Sequence, residues 1–87
     1  MQKLNVKRFG PNHLLVCQGT YHWYISFETV IAYWGPANLP NVGTQIVRIQ
    51  RISPSGKWSK ATKKHLREMG CVDFAPVAED IFDKCVP

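Results

Sequence analysis

Apolar and polar residues alternate along much of the first fifty positions and then change to a helical spacing, and that switch of period sets the fold class. Leu4 and Val6 alternate with Lys3, Asn5 and Lys7, a period of two that predicts a half-buried strand. Gly10-Pro11-Asn12 turns the chain. A short apolar run, His13 to Cys17, is separated by Gln18-Gly19 from a second run. In that run Tyr21, Trp23, Ile25 and Phe27 share one parity and His22, Tyr24 and Ser26 the other, which predicts a hairpin. Thr29 to Trp34 is rich in β-branched and aromatic residues, whereas two prolines and two asparagines between Gly35 and Gly43 predict a loop. Thr44 to Ile52 resumes as a strand. Its parity is blurred, with Ile46 and Ile52 on one face and Val47 and Ile49 on the other, so a bulge or an edge covered by a helix is expected. Pro54-Ser55-Gly56 is expected to close the sheet region.

Helical spacing begins at Ser59, whose hydroxyl is suited to accept from the free amides of a first turn, and ends at Gly70, which is able to adopt a left-handed cap conformation. Projected at about 100° per residue, Lys60, Lys63, Lys64 and Arg67 gather on one arc. Ala61, Thr62, His65, Leu66 and Met69 occupy the opposite, packing side. A shorter helix is expected from near Asp73 or Pro76 to Lys84, burying Val77, Ile81 and Phe74. Strands segregated from helices predict an α+β fold: a small antiparallel sheet of four to five strands, covered on one face by one or two C-terminal helices. The 87 residues fit one domain, 1–87, with room for a single small core.

Charge changes this picture more than composition does. Residues 1–70 hold ten Lys and Arg against Glu28 and Glu68, while residues 71–87 hold Lys84 against Asp73, Glu79, Asp80 and Asp83. The chain is thus a basic body with an acidic tail. Seven basic residues, Arg48, Arg51, Lys57, Lys60, Lys63, Lys64 and Arg67, follow one another with no acidic residue between them, a run that attracts phosphates or an acidic protein surface. A solvated, solubilising face is the plain alternative. Lys60, Lys63 and Lys64 nevertheless crowd the N-terminal half of their helix, where its dipole disfavours positive charge, and a broken local rule points toward function.

Cys17, Cys71 and Cys85 are odd in number and lack a Cys-x-x-Cys pair, so free thiols are expected. Cys71, Cys85 and one of His13, His22 or His65 are a conceivable metal set, and ordinary buried thiols and histidines are the expectation. No apolar run matches a signal peptide or a membrane span, which predicts a cytoplasmic protein without membrane association.

Two segments carry a resemblance: Ser26-Phe27-Glu28-Thr29-Val30-Ile31-Ala32-Tyr33 and, one strand later, Trp58-Ser59-Lys60-Ala61-Thr62-Lys63-Lys64-His65-Leu66. Over residues 21–69 the chain resembles an uncharacterised family of short phage, plasmid and archaeal proteins. That family has a Ser-aromatic-x-Thr-x-Ile-Ala segment followed by a Trp-Ser-x-x-Thr-x-x-His segment. Ala61 stands where the family pattern has a further Thr, and the segment from Gly35 to Gly43 is long. The resemblance implies a mobile-element setting and a shared small fold, with no activity to carry over. In physical terms Ser59 caps the helix, Thr62 reinforces the cap, and Trp58 and His65 anchor the helix to the sheet.

An enzyme requires a nucleophile, a base and an orienting group, or a metal, and no such set stands at informative spacing. Glu28 is the sole carboxylate in the first 67 positions. Phosphate loops, His-Glu-x-x-His and Gly-x-Ser-x-Gly are absent from the sequence. The expectation is a non-enzymatic protein, with neither cofactor nor metal, that contacts DNA or RNA through Arg48, Arg51, Lys57, Lys60, Lys63, Lys64 and Arg67, with Tyr, Trp or His rings to stack bases. The alternative is an inhibitor or adaptor that binds a host nucleic-acid-handling or defence protein through the same surface.

Overall fold

A computed structural model describes residues 3–39, 41–52 and 58–87. Six strands, β1 (Leu4–Gly10), β2 (His13–Gln18), β3 (Tyr21–Ser26), β4 (Thr29–Leu39), β5 (Gly43–Arg51) and β6 (Ala75–Val77), form one sheet in chain order. Helix α1 (Lys60–Glu68) lies between β5 and β6, and α2 (Glu79–Cys85) follows β6. The class is α+β, as expected, but the sheet is mixed: β1 to β5 pair antiparallel and β6 runs parallel to β5. No helix among the described residues is long and apolar enough to cross a membrane.

Several expectations need correction. Gly35–Leu39 continues β4 instead of forming a loop. The pairing of β3 with β4 stops at His22 and Trp34, so one edge of β4 is free beyond that point. Pro36 has the same parity as Trp34, whose carbonyl faces β3, and its missing N–H therefore falls on the free edge, where proline is tolerated. The pairing of β5 with β4 runs from Gln50 to Gly43 without a register shift, so the expected bulge is not there. Bulges occur instead between Arg8 and Gly10 and opposite Tyr24 and Ile25. Leu4 and Val6 are exposed instead of half-buried. Pro54-Ser55-Gly56 lies outside the described residues.

Pairing registers divide the side chains between two faces. Tyr24, Ala32 and Gln50 form one cross-strand row, and Trp23, Tyr33 and Ile49 form the next, so by strand alternation they point to opposite sides. Leu66 of α1 and Met69 at its C-terminal cap pack on the first side with Tyr24, Ile31, Ala32, Cys71 and Phe74. Phe82 of α2 packs on the other with Tyr33 and Ile49. The helices thus cover opposite faces, where one covered face was expected. The extra residue of the β3–β4 bulge, Ile31, lets two successive apolar side chains of β4 serve the α1 core.

At the C-terminus the helical reading began too early. Ala75–Val77 is β6, with Pro76 opposite Gln50, and α2 starts only at Glu79. Phe82 is fully buried and Ile81 is exposed, the reverse of the expected phase. Gln50 fixes the preceding turn by donating its amide to the carbonyls of Val72 at 3.1 Å and Phe74 at 2.6 Å. Burial pushes the Cys71 thiol up to about 12, so it stays protonated within the α1 core. Cys17, Cys71 and Cys85 are all free.

Candidate nucleic-acid interface

Helix α1 begins as its sequence predicts. Ser59 Oγ accepts from the Thr62 amide at 3.2 Å, and Gly70 follows the helix in the left-handed region at φ 75°. Thr62, His65 and Leu66 are buried, while Lys60, Lys63, Lys64 and Arg67 are exposed. Ala61, expected to pack, is exposed with them. Lys63 and Arg67 form one wall of a shallow groove of about 190 Å³, with Leu66, Val72 and Gln50 as the rest of its lining.

Arg48 lies on the same sheet face as Gln50 and opposite Trp34, which in turn lies opposite His22. These three make a transverse row. The His22 ring stacks on Trp34 at 4.9 Å between centroids, and the Arg48 guanidinium stands 5.9 Å from the Trp34 ring and 5.6 Å from Phe74. His22 Nδ1–H donates to the carbonyls of Thr20 and Trp34, both at 3.1 Å, which leaves the Nε2 lone pair free of that duty. The face that carries α1 therefore also carries a cation and two flat rings beyond the groove. His22 and Trp34 were foreseen only as members of a general pool of rings.

Arg51 does not belong to this surface. Three residues from Arg48, it has the opposite parity and faces α2. Its guanidinium pairs with Glu79 at 2.9 Å and Asp83 at 2.7 Å, and its Nε donates to the Val30 carbonyl at 3.1 Å. It also sits 4.7 Å from the Phe82 ring, so it clamps α2 onto the sheet. Lys57 lies outside the described residues.

Behind the cationic face, the polar residues of the two resemblance segments meet in the interior. Ser26 Oγ is 2.7 Å from His65 Nδ1 and 3.4 Å from Thr62 Oγ1, and Ser59 Oγ donates to Thr62 Oγ1 at 3.1 Å. Trp58 Nε1 donates to the Arg51 carbonyl at 3.0 Å, so Trp58 and His65 do tie the helix to the sheet. His65 stacks on His13 at 3.8 Å, with Phe9 on the far side of His13 and Phe27 tilted against His65 at 5.2 Å. A side chain at Gly10 would place its Cβ 2.5 Å from the His13 ring, so only glycine lets that ring lie there. Burial, and then the adjacent His13 ring, hold the His65 imidazole below its ordinary 6.5, with Glu68 opposing and Lys64 assisting.

His13 Nε2 approaches the Glu68 carboxylate at 3.2 Å but is misaligned for a hydrogen bond, and buried Nδ1 has no partner. The contact is electrostatic. A serine within hydrogen-bond reach of a histidine is the starting geometry for nucleophilic catalysis. Here Ser26 is 2% exposed, which favours pinning the helix over attack on a substrate. Among the described residues no three His, Cys, Asp or Glu side chains gather as a metal site. Sequence reasoning found Ser59, Thr62 and His65 but missed Ser26, His13 and Glu68 as their partners. Ser26 and His65 are 39 positions apart, and the pairing of the two segments was the sole hint.

The turn next to this cluster breaks a local rule. Ser26 pairs with Thr29, leaving a two-residue hairpin whose Phe27 and Glu28 have φ of 48° and 69°. Such turns favour Asn-Gly, and side chains like these are strained there. The Phe27 amide is held by the Asn12 carbonyl at 2.9 Å, and its ring is half exposed above His65. No protein-family model, curated protein or solved structure matches the chain.

Proposed function

We propose that this is a non-enzymatic, mobile-element-type protein that binds nucleic acid through α1 and the Arg48–Trp34–His22 row. The supporting observation is the shared face: Lys63 and Arg67 line a groove with Gln50, and Arg48, Trp34 and His22 continue the same side of the sheet. Lysines supply phosphate contacts whose strength comes from counterion release, and the ring row offers a platform for unstacked bases. Among the described residues the ion pairs join His13 to Glu68 and Arg51 to Glu79 and Asp83, and none involves Lys60, Lys63, Lys64 or Arg67, so their charge is available. Such a role belongs to the cytoplasm of a host cell.

The test is binding to nonspecific DNA and RNA over a salt series. Reversing Lys63 and Arg67 to Glu is expected to abolish binding at low salt with the fold intact, since both side chains face solvent. Milder single changes to Ala are expected to flatten the slope of log affinity against log salt by about 0.7 to 0.9 each. A wild-type protein not retained on either nucleic acid at low salt removes this reading. Nuclease-resistant capture of one host protein by the same face then favours the inhibitor or adaptor role.

A further inference from the structure

Helix α2 packs mainly on β4 and β5, with Trp23 of β3 at the margin of its core. On the β1–β3 half, three rows cross the same side: Leu4, Gln18 and Tyr21; Val6, Val16 and Trp23; and Arg8, Leu14 and Ile25. Leu4 and Val6 are 60% and 54% exposed, Tyr21 is exposed, Leu14, Val16 and Ile25 are half-buried, and Trp23, also half-buried, packs at the margin of the α2 core. Seven of these nine side chains are apolar, Gln18 and Arg8 being the exceptions, and together they make a surface that water covers poorly.

We infer that this half-face is the interface of a homodimer, in which two β1–β3 half-sheets pack face to face about a two-fold axis running along β2. The argument for a second copy is self-complementary charge. Arg8 lies on the β1 side of the patch, and Glu28, at the β3–β4 turn, lies on the other. Both line one cleft of about 360 Å³ with Leu14, Ile25 and Phe27, yet they form no ion pair with each other. A two-fold axis along the middle strand exchanges the two sides and sets Arg8 of each copy against Glu28 of the other. It also lays β1 over β3, so Val6 meets Trp23 and Leu4 meets Tyr21.

The remaining charges allow it. The α1 cations and Arg48 project from the opposite sheet face, so the strong positive field points away from the contact. Aligned sheet packing keeps the two strand sets within about 30° of each other, which leaves α2 beside the partner's sheet. Three strands of about six residues bury on the order of 1,000 Å² in total, below the usual range for stable interfaces, so a weak, concentration-dependent dimer is expected. The dimer presents two outward cationic faces. It does not depend on what those faces bind.

Sedimentation equilibrium of the full chain without nucleic acid tests this, from about 10 µM to 1 mM. The expected result is a transition from 9.9 kDa to twice that mass. Arg8→Glu and Glu28→Arg are each expected to weaken dimerisation by about tenfold or more, and the double reversal to restore it, because each copy then again opposes unlike charges. Val6→Asp, at an exposed position that the monomer's core does not use, is expected to leave a folded monomer by circular dichroism. A wild type that stays at monomer mass at the highest concentration overturns the inference. So does a dimer indifferent to the two single reversals, or a double reversal that does not recover it.

Discussion

Where α1 meets the sheet, the contact includes the Ser26–His65 hydrogen bond, sealed from water, and a second from Trp58 to the Arg51 carbonyl. Where α2 meets the opposite face, Phe82 is enclosed, and Arg51 binds Glu79 and Asp83 at the margin, with those carboxylate side chains 45% and 57% exposed. Buried hydrogen bonds are directional and fix a helix in one rotation and height. Rim ion pairs in water are worth little individually. Position is therefore specified most sharply for α1, the element that carries Lys60, Lys63, Lys64 and Arg67, whereas α2 is held mainly by the enclosed Phe82, with Arg51 as a clamp at the rim.

The largest effect expected from this contrast is on the α2 side. Phe82→Ala empties the centre of its small core and is expected to destabilise by about 3 to 5 kcal/mol in denaturant unfolding. A loss under 1 kcal/mol would mean that α2 is an appendage and the contrast is misdrawn. Ser26→Ala comes next, at about 1 to 3 kcal/mol, since it leaves a buried His65 nitrogen without a partner. If α1 is positioned by that bond, Ser26→Thr, which keeps the hydroxyl, is expected to lose less than Ser26→Ala.

Acid sharpens the same distinction. The folded state prefers neutral His65, so its contribution is complete above its ordinary 6.5 and is lost as pH falls below that value through the depressed folded pKa. Melting temperature is expected to drop between about pH 7 and pH 5, and His65→Asn to flatten that part of the profile. Protonated His65 would face the His13 ring and Lys64, with Glu68 as the compensating charge. A profile unchanged by the substitution assigns the acid sensitivity elsewhere. The smallest effect is expected from Asp83→Asn, about 0.2 to 1 kcal/mol and shrinking with added salt, because its pair with Arg51 is exposed on the carboxylate side.

Local rules carried part of this fold into the sequence. The Ser59 cap, the stop at Gly70 and the buried Thr62, His65 and Leu66 follow from spacing and side-chain chemistry alone. Strands up to Trp34 were legible for the same reason. Pro36 misled because its tolerance depends on where β3 ends, which is a property of the sheet and not of the segment. β6 was hidden by its three-residue length and by acidic residues that mimic a helix start. The cationic arc of α1 was readable, but the removal of Arg51 by Glu79 and Asp83 depends on contacts 28 and 32 positions away. His22 and Trp34 became distinct only once the register set them in line with Arg48.

Sheet order that repeats chain order has a kinetic meaning. Each of β2 to β5 docks on the strand made just before it, so during synthesis five strands can assemble by short hairpin closures without awaiting distant sequence. The sixth strand differs, because a parallel neighbour requires a crossover, and here α1 supplies it. The late step of folding is then the docking of everything after Arg51, which closes both cores and the Ser26–His65 bond together. Until the C-terminal segments arrive, the apolar faces of the five-strand meander stay open, so translation speed through the residues after Arg51 governs how long the nascent protein is prone to aggregate.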